Sequence, residues 1–233
     1  WQMVLMISSG VCLSGGVLMF VLVPDGPYLA SGGRFDPMAV MTLFTYRPLR
    51  AAALGYFGHM WELYALWAFL PLFLSRHAAA VGHLRMDVSF WSFLIIAMGS
   101  VGCIGGGMAS GRLGSASVAR LQLAVSGICC LGSPLFFVLP PPFFLMLMLM
   151  WGIAVAGDSP QFSTIVARSA PRQLLGSALT LVNCIGFSIT VVSLWLLQQL
   201  SLYVPPQYLL LVLAPGPALG LLGMRGIGRG RKG

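Results

Sequence analysis

Apolar residues fall in blocks long enough to cross a bilayer, and polar residues collect in the short breaks between them. A hydrocarbon core about 30 Å thick takes about 20 helical residues. Seven blocks meet that length: 1–23, 50–74, 88–110, 118–139, 143–166, 174–197 and 208–224. The breaks hold residues that stop or kink a helix. Pro24-Asp25-Gly26-Pro27 closes the first block, Pro140-Pro141-Pro142 the fourth, and Pro215-Gly216-Pro217 interrupts the seventh. A linker, 25–49, follows the first block; its 35–44 portion is apolar but too short to span, and is expected at the membrane interface. The pattern predicts an all-α integral membrane protein with seven transmembrane helices and a basic tail at 225–233.

Composition supports this. Apolar residues make up 58% of the chain and charged residues 8%, with a mean hydropathy of +0.91. A soluble domain carries about a quarter charged residues. The net charge of +8 is unevenly placed. If the 25–49 linker is cytoplasmic, Arg34, Arg47, Arg50, Arg112, Arg120, Arg168, Arg172, Arg225, Arg229, Arg231 and Lys232 lie inside, and only Arg76 and Arg85 outside. The positive-inside rule then orients the chain with its C-terminus in the cytoplasm. No basic face interleaved with aromatics is present, so nucleic acid is not an expected partner. The lipid bilayer is. All five cysteines fall within apolar runs without metal spacing and are expected to be free, buried thiols. The opening at Trp1, inside an apolar run with no basic segment before it, argues against a signal peptide and predicts that an earlier part is missing.

The turn after the third block reads Gly107-Met108-Ala109-Ser110-Gly111-Arg112-Leu113-Gly114. It resembles the G-x-x-x-D-R-x-G-R-R loop of the major facilitator superfamily, in the copy between that fold's eighth and ninth helices. It departs at Gly111, where the family has an acid, and at Ser115, where it has a base. The segments GYFGHMWELYALW and AGDSPQFSTIVARSAP are similar to those of bacterial members, some distantly related to the cyanate and nitrate branch. The resemblance covers essentially the whole chain. It implies that 1–24 is the last helix of an N-terminal half, 25–49 the central cytoplasmic linker, and 50–224 the C-terminal six-helix domain. The rest of the N-terminal helical half is then a missing partner. The implied function is secondary active transport of a small solute by alternating access, proton-coupled as symporter or antiporter, in the plasma (bacterial inner) membrane. No cofactor or enzymatic activity is implied, and Gly107, Arg112 and Gly114 take the place of the conformational loop. The rival reading is a non-transporting receptor or scaffold on the same fold.

The first helix of each three-helix repeat lines the cavity in such folds; here those are the second and fifth blocks, which carry Glu62 and Asp158. Glu62 lies about 18 Å into its helix. A carboxylate at that depth is either a protonatable cavity group or an acid held by a neighbouring helix. His59, three residues earlier, falls on the same side and is expected either to share a proton with Glu62 or to pack. The HxxE spacing lacks the second motif that a di-metal site needs. Asp158 stands before Pro160, a kink residue, and is read as a cavity group or as a charge partner of Arg112, Arg168 or Arg172, with Gln161 one turn on. Trp61 and Tyr64 beside Glu62 are candidate stacking surfaces, and Asn183, flanked by Thr180 and Gly186, is either substrate-facing or helix glue. The run 145–151 reads as bulk apolar surface, His77 and His83 as solvated loop residues. In the third block, Gly99/Cys103/Gly107/Gly111 and Gly102/Gly106/Ser110 form two small-residue stripes for close helix approach.

Overall fold

A computed structural model describes residues 2–24, 38–82 and 86–226. The regular elements among them are helical: α1 (Gln2–Leu22), α2 (Met38–Thr45), α3 (Arg47–Ala80), α4 (Val88–Leu113), α5 (Ser115–Phe137), α6 (Pro141–Gly157), α7 (Ser159–Ser169), α8 (Leu175–Leu200), α9 (Pro206–Leu209) and α10 (Pro215–Gly223). The chain divides into two units, Trp1–Arg34 and Phe35–Gly233. The first is the single helix α1. The second holds all the others. The basic tail beyond residue 226, and with it His83 and Arg85, lies outside the described residues, as does most of the 25–49 linker.

Among the described residues, six segments are long and apolar enough to cross a membrane: Gln2–Leu22, Val88–Leu113, Ser115–Phe137, Pro141–Ser169, Arg172–Leu200 and Pro206–Gly223. The chain is therefore an all-α, membrane-embedded protein. The sequence pattern also counts the second block. In the structure that block is α3, 34 residues long and not in this set. Its buried positions run from Leu49 to Ala78, and α10, α8, α7 and α4 all pack on it. A helix surrounded by protein can carry polar residues that a lipid-facing one cannot.

Helix ends follow local chemistry. Pro48 opens α3 within its first turn. Asp87 caps α4, its carboxylate accepting from the Phe90 N–H at 3.0 Å. The turn between α4 and α5 is a single residue, Gly114, at φ +80°. That left-handed conformation strains any residue with a Cβ. The expected conformational loop is thus one residue long, with Gly107 and Arg112 inside α4, both exposed.

Prolines inside helices free carbonyls, and neighbours take them up. Pro134 leaves Cys130 O without its helical donor, and the Ser133 hydroxyl donates to it at 2.8 Å. Pro160 does the same to Ala156 O, which accepts from the Cys103 thiol at 3.4 Å. The fifth block breaks here, α6 ending at Gly157 and α7 starting at Ser159, with Asp158 between.

Helices α4 and α6 touch backbone to backbone. A Cβ on Gly102 would meet the Ile153 carbonyl, and one on Gly152 the Ile95 carbonyl. The buried stripe is Gly99, Gly102 and Gly106, which draws on both expected stripes; Gly107 and Gly111 face open space. Two apolar cores flank the bundle's middle. One takes α3 from Leu49 to Met60 with Phe162, Val182 and Met224; the other takes it from Leu63 to Leu74 with Phe144, Met148 and Leu213. His59 and Glu62 stand at the seam.

Candidate functional site

α3 brings His59 and Glu62 to the bundle interior, each 1% exposed. They then part company. The His59 Nδ1 lies 2.9 Å from Oδ1 of Asp158, itself 1% exposed at the α6–α7 break. Glu62 turns to α5 and α6, accepting from the Ser126 hydroxyl, the Trp151 indole N–H at 2.9 Å and the Cys130 thiol at 3.3 Å. The expected proton-sharing bond between His59 and Glu62 is not formed. One turn of separation puts both on one side of α3, but a helix carries its side chains at different angles, and each finds a partner on a different neighbour.

Nor does Asp158 pair with an arginine. Arg112, Arg168 and Arg172 are exposed. Arg168 is ten residues further along α7, about 15 Å away at the helical rise, while His59 is adjacent. His59–Asp158 is the one base–acid contact at salt-bridge distance among the described residues. The imidazole sits against the rings of Tyr56 and Phe162, at 6.0 and 5.7 Å between centroids. Phe162 is held one turn after Asp158, its N–H bonded to the Asp158 carbonyl at 3.0 Å.

The two acids differ in how well they are satisfied. Three donors converge on one Glu62 oxygen. Asp158 has one close side-chain partner among the described residues, the His59 imidazole at 2.9 Å, and His59 Nε2 has no hydrogen-bond partner among them. Gln161, one turn beyond Asp158, is buried as well. So the interior gathers His59, Glu62, Asp158 and Gln161.

The remaining candidates lie elsewhere. The Trp61 indole donates to Val212 O at 3.1 Å, fixing that ring against the chain before α10. Tyr64 meets Trp67 and Phe187 at 5.5 and 5.6 Å. Asn183 is exposed on α8 beside exposed Thr180 and Cys184, whereas Gly186 faces α3, where a Cβ would meet Tyr56 at 2.6 Å. Gly186 is the helix-approach residue, with Thr190 bonding Met60 O at 2.8 Å one turn on. Gly107, Arg112 and Gly114 lie at the exposed α4–α5 end, apart from the interior residues.

Sequence reasoning missed Ser126, Cys130 and Trp151. Ser126 and Cys130 are one turn apart on α5, a spacing that puts two weak donors on one face. Trp151 ends the 145–151 run, which is not bulk surface: Leu145, Met148 and Trp151 are buried and Met146 and Met150 exposed. An indole N–H inside an apolar run needs an acceptor, and that was the signal. His77 is not a solvated loop residue. It is fully buried in α3, stacked on Phe144 at 3.7 Å, with Nε2–H donated to Leu139 O at 3.0 Å. The cysteines are free, but Cys12 and Cys184 are exposed rather than buried.

No family model, curated protein or solved structure matches this chain.

Proposed function

We propose that this chain is the membrane core of a secondary active transporter of major facilitator type, moving a small solute by alternating access coupled to protons. The observation that carries the reading is the His59–Asp158 pair: two ionisable groups in contact, buried, at the break of a membrane-spanning helix. Ionisable residues inside a membrane mark ion and proton pathways, and broken helices mark binding sites in transporters. A single close side-chain partner on Asp158, against three donors on Glu62, favours Asp158 as the group that changes partners during a cycle. Glu62 is then a second proton site on α3, and Gln161 a polar neighbour of the pair.

α3 is the seventh span on this reading, enclosed by the helices around it. The charge distribution supports a cytoplasmic C-terminus in a plasma (bacterial inner) membrane, and the α4–α5 turn supports the facilitator assignment. Asn183, exposed on α8 with Thr180, suits the wall of a solute pathway closed by further helices. A receptor or scaffold on the same fold is the second reading. The three donors held by Glu62 favour it, because a satisfied carboxyl suits a fixed structural role.

The test uses the full-length protein in sealed, energised vesicles with a pH-sensitive dye and a panel of small solutes. Solute-dependent proton movement that is lost in Asp158→Asn and reduced in Glu62→Gln is expected. Labelled-solute uptake and proton flux both absent across the panel, with partner binding retained, would establish the receptor or scaffold reading instead.

A further inference from the structure

On one side of α3 runs a groove of about 440 Å³, formed with α8 and α10. Its floor is Gly58 and Gly216; with no side chains there, the α3 and α10 backbones touch, and the space above stays open. Its walls are Phe57, Trp61, Val192 and Leu219. The one polar wall atom, the Trp61 indole N–H, is already bonded to Val212 O, so the lining offers carbon only. Val192 and Leu219 are 53% and 65% exposed, so the groove opens outward.

One end is basic. Arg50 lies one turn before the lining residue Leu54 on the same face of α3. From α10, Gly223 packs against Leu54, where a Cβ would meet that side chain at 2.5 Å, and Arg225 follows two residues later. Both arginines are exposed, and no carboxylate pairs with either among the described residues. Arg50 gives Nη1 to Phe44 O at 3.0 Å, and its other guanidinium N–H donors remain for a ligand. No Lys or Arg lines the rest of the groove.

We propose that this groove binds one anionic phospholipid, its acyl chain along Phe57, Trp61 and Val192 and its phosphate on Arg50 and Arg225. A carbon-lined channel with cations at one end only is complementary to a molecule with an apolar tail and a single anionic head. Basic pockets between membrane helices recognise acidic headgroups in this way, through bidentate guanidinium–phosphate bonds. A second protein helix would leave the two arginines unmatched unless it carried its own acids. The proposal needs the chain to lie in a bilayer and is independent of transport.

The test is native mass spectrometry of the full-length protein released from vesicles of equal parts phosphatidylglycerol and phosphatidylcholine. Wild type is expected to retain one phosphatidylglycerol in preference to phosphatidylcholine by about thirtyfold, from two basic side chains. Arg50→Gln with Arg225→Gln brings that ratio close to one, and Val192→Trp, which fills the groove, lowers retention of both lipids. Leu219→Trp serves the same purpose should Val192→Trp fail to give a wild-type unfolding profile. Equal retention of both lipids by wild type overturns the proposal. So does retention that neither groove-filling variant changes, which would mean that lipid binds elsewhere or that protein already covers the groove.

Discussion

Replacing Gly102 by alanine tests the backbone contact that positions the α6–α7 break. The added Cβ meets the Ile153 carbonyl oxygen and carbon, and the Gly157 Cα at 3.2 Å. All three are backbone atoms of α6, so no side chain can rotate away. The helices must separate, loosening the Gly99–Ala156 contact and the Gln122 bond to Gly102 O, which measures 3.2 Å. Overpacking of this kind costs about 1–3 kcal/mol, offset by about 0.4–1 kcal/mol because alanine restricts the unfolded chain. With the Cβ driven into rigid backbone atoms the cost falls in the upper half of the overpacking range, about 2–3 kcal/mol, and the net is a loss of about 1–2.6 kcal/mol. For a chain of this size that lowers the unfolding temperature by about 2–10 °C. At Gly105, one turn along the same helix, an added Cβ would find nothing within 4 Å. Gly105→Ala therefore keeps only the gain, and its unfolding temperature stays level or rises by up to about 4 °C. Thermal unfolding in detergent, followed by tryptophan fluorescence, gives both values. Equal shifts of the same sign in the two variants would refute the α4–α6 packing.

Two further outcomes bear on the site. Trp151→Phe removes the donor that bonds both Glu62, at 2.9 Å, and Ser126, at 3.0 Å, and is expected to destabilise by about 1–3 kcal/mol; most of that loss should vanish in a Glu62→Met background, and a loss of the same size in both backgrounds would assign it to the cavity alone. On the transporter reading the exposed α8 face of Asn183 and Cys184 borders water, so in a protein with Cys12→Ala and Cys103→Ala a membrane-impermeant maleimide should label Cys184 in vesicles while buried Cys129 and Cys130 stay unmodified. No labelling of Cys184 would place that face against lipid or protein.

The pattern of apolar blocks carried the helices, because membrane helices are set by length and local hydropathy. It also turned Glu62 inward, since an acid in an apolar run avoids lipid, while Asp158 stayed open between the interior and an arginine partner. Partners were not legible. Helical spacing relates His59 to Glu62, yet the contact His59 makes is with Asp158, nearly a hundred residues on, through the packing of α7 on α3. The same limit applies to the glycines of α4. Both stripes satisfy the spacing rule, and only the position of α6 selects Gly99, Gly102 and Gly106. His77 was misplaced because α3 does not end with its apolar block at residue 74; the helix runs on to Ala80, carrying the ring into the stack on Phe144. Trp151 was hidden by its neighbours, since the alternation of Leu and Met masks a three-residue period of burial.

On the transporter reading, a carboxyl group in the cluster of His59, Asp158 and Glu62 exchanges a proton. Infrared difference spectroscopy of the full-length protein in lipid, through a pH titration, reads that group directly. The expected result is a protonated-carboxyl band that appears and disappears reversibly, is lost in Asp158→Asn and survives in Asp87→Asn, a substitution at the helix cap. A spectrum with no titrating carboxyl band, or one unchanged in both Asp158→Asn and Glu62→Gln, would contradict it.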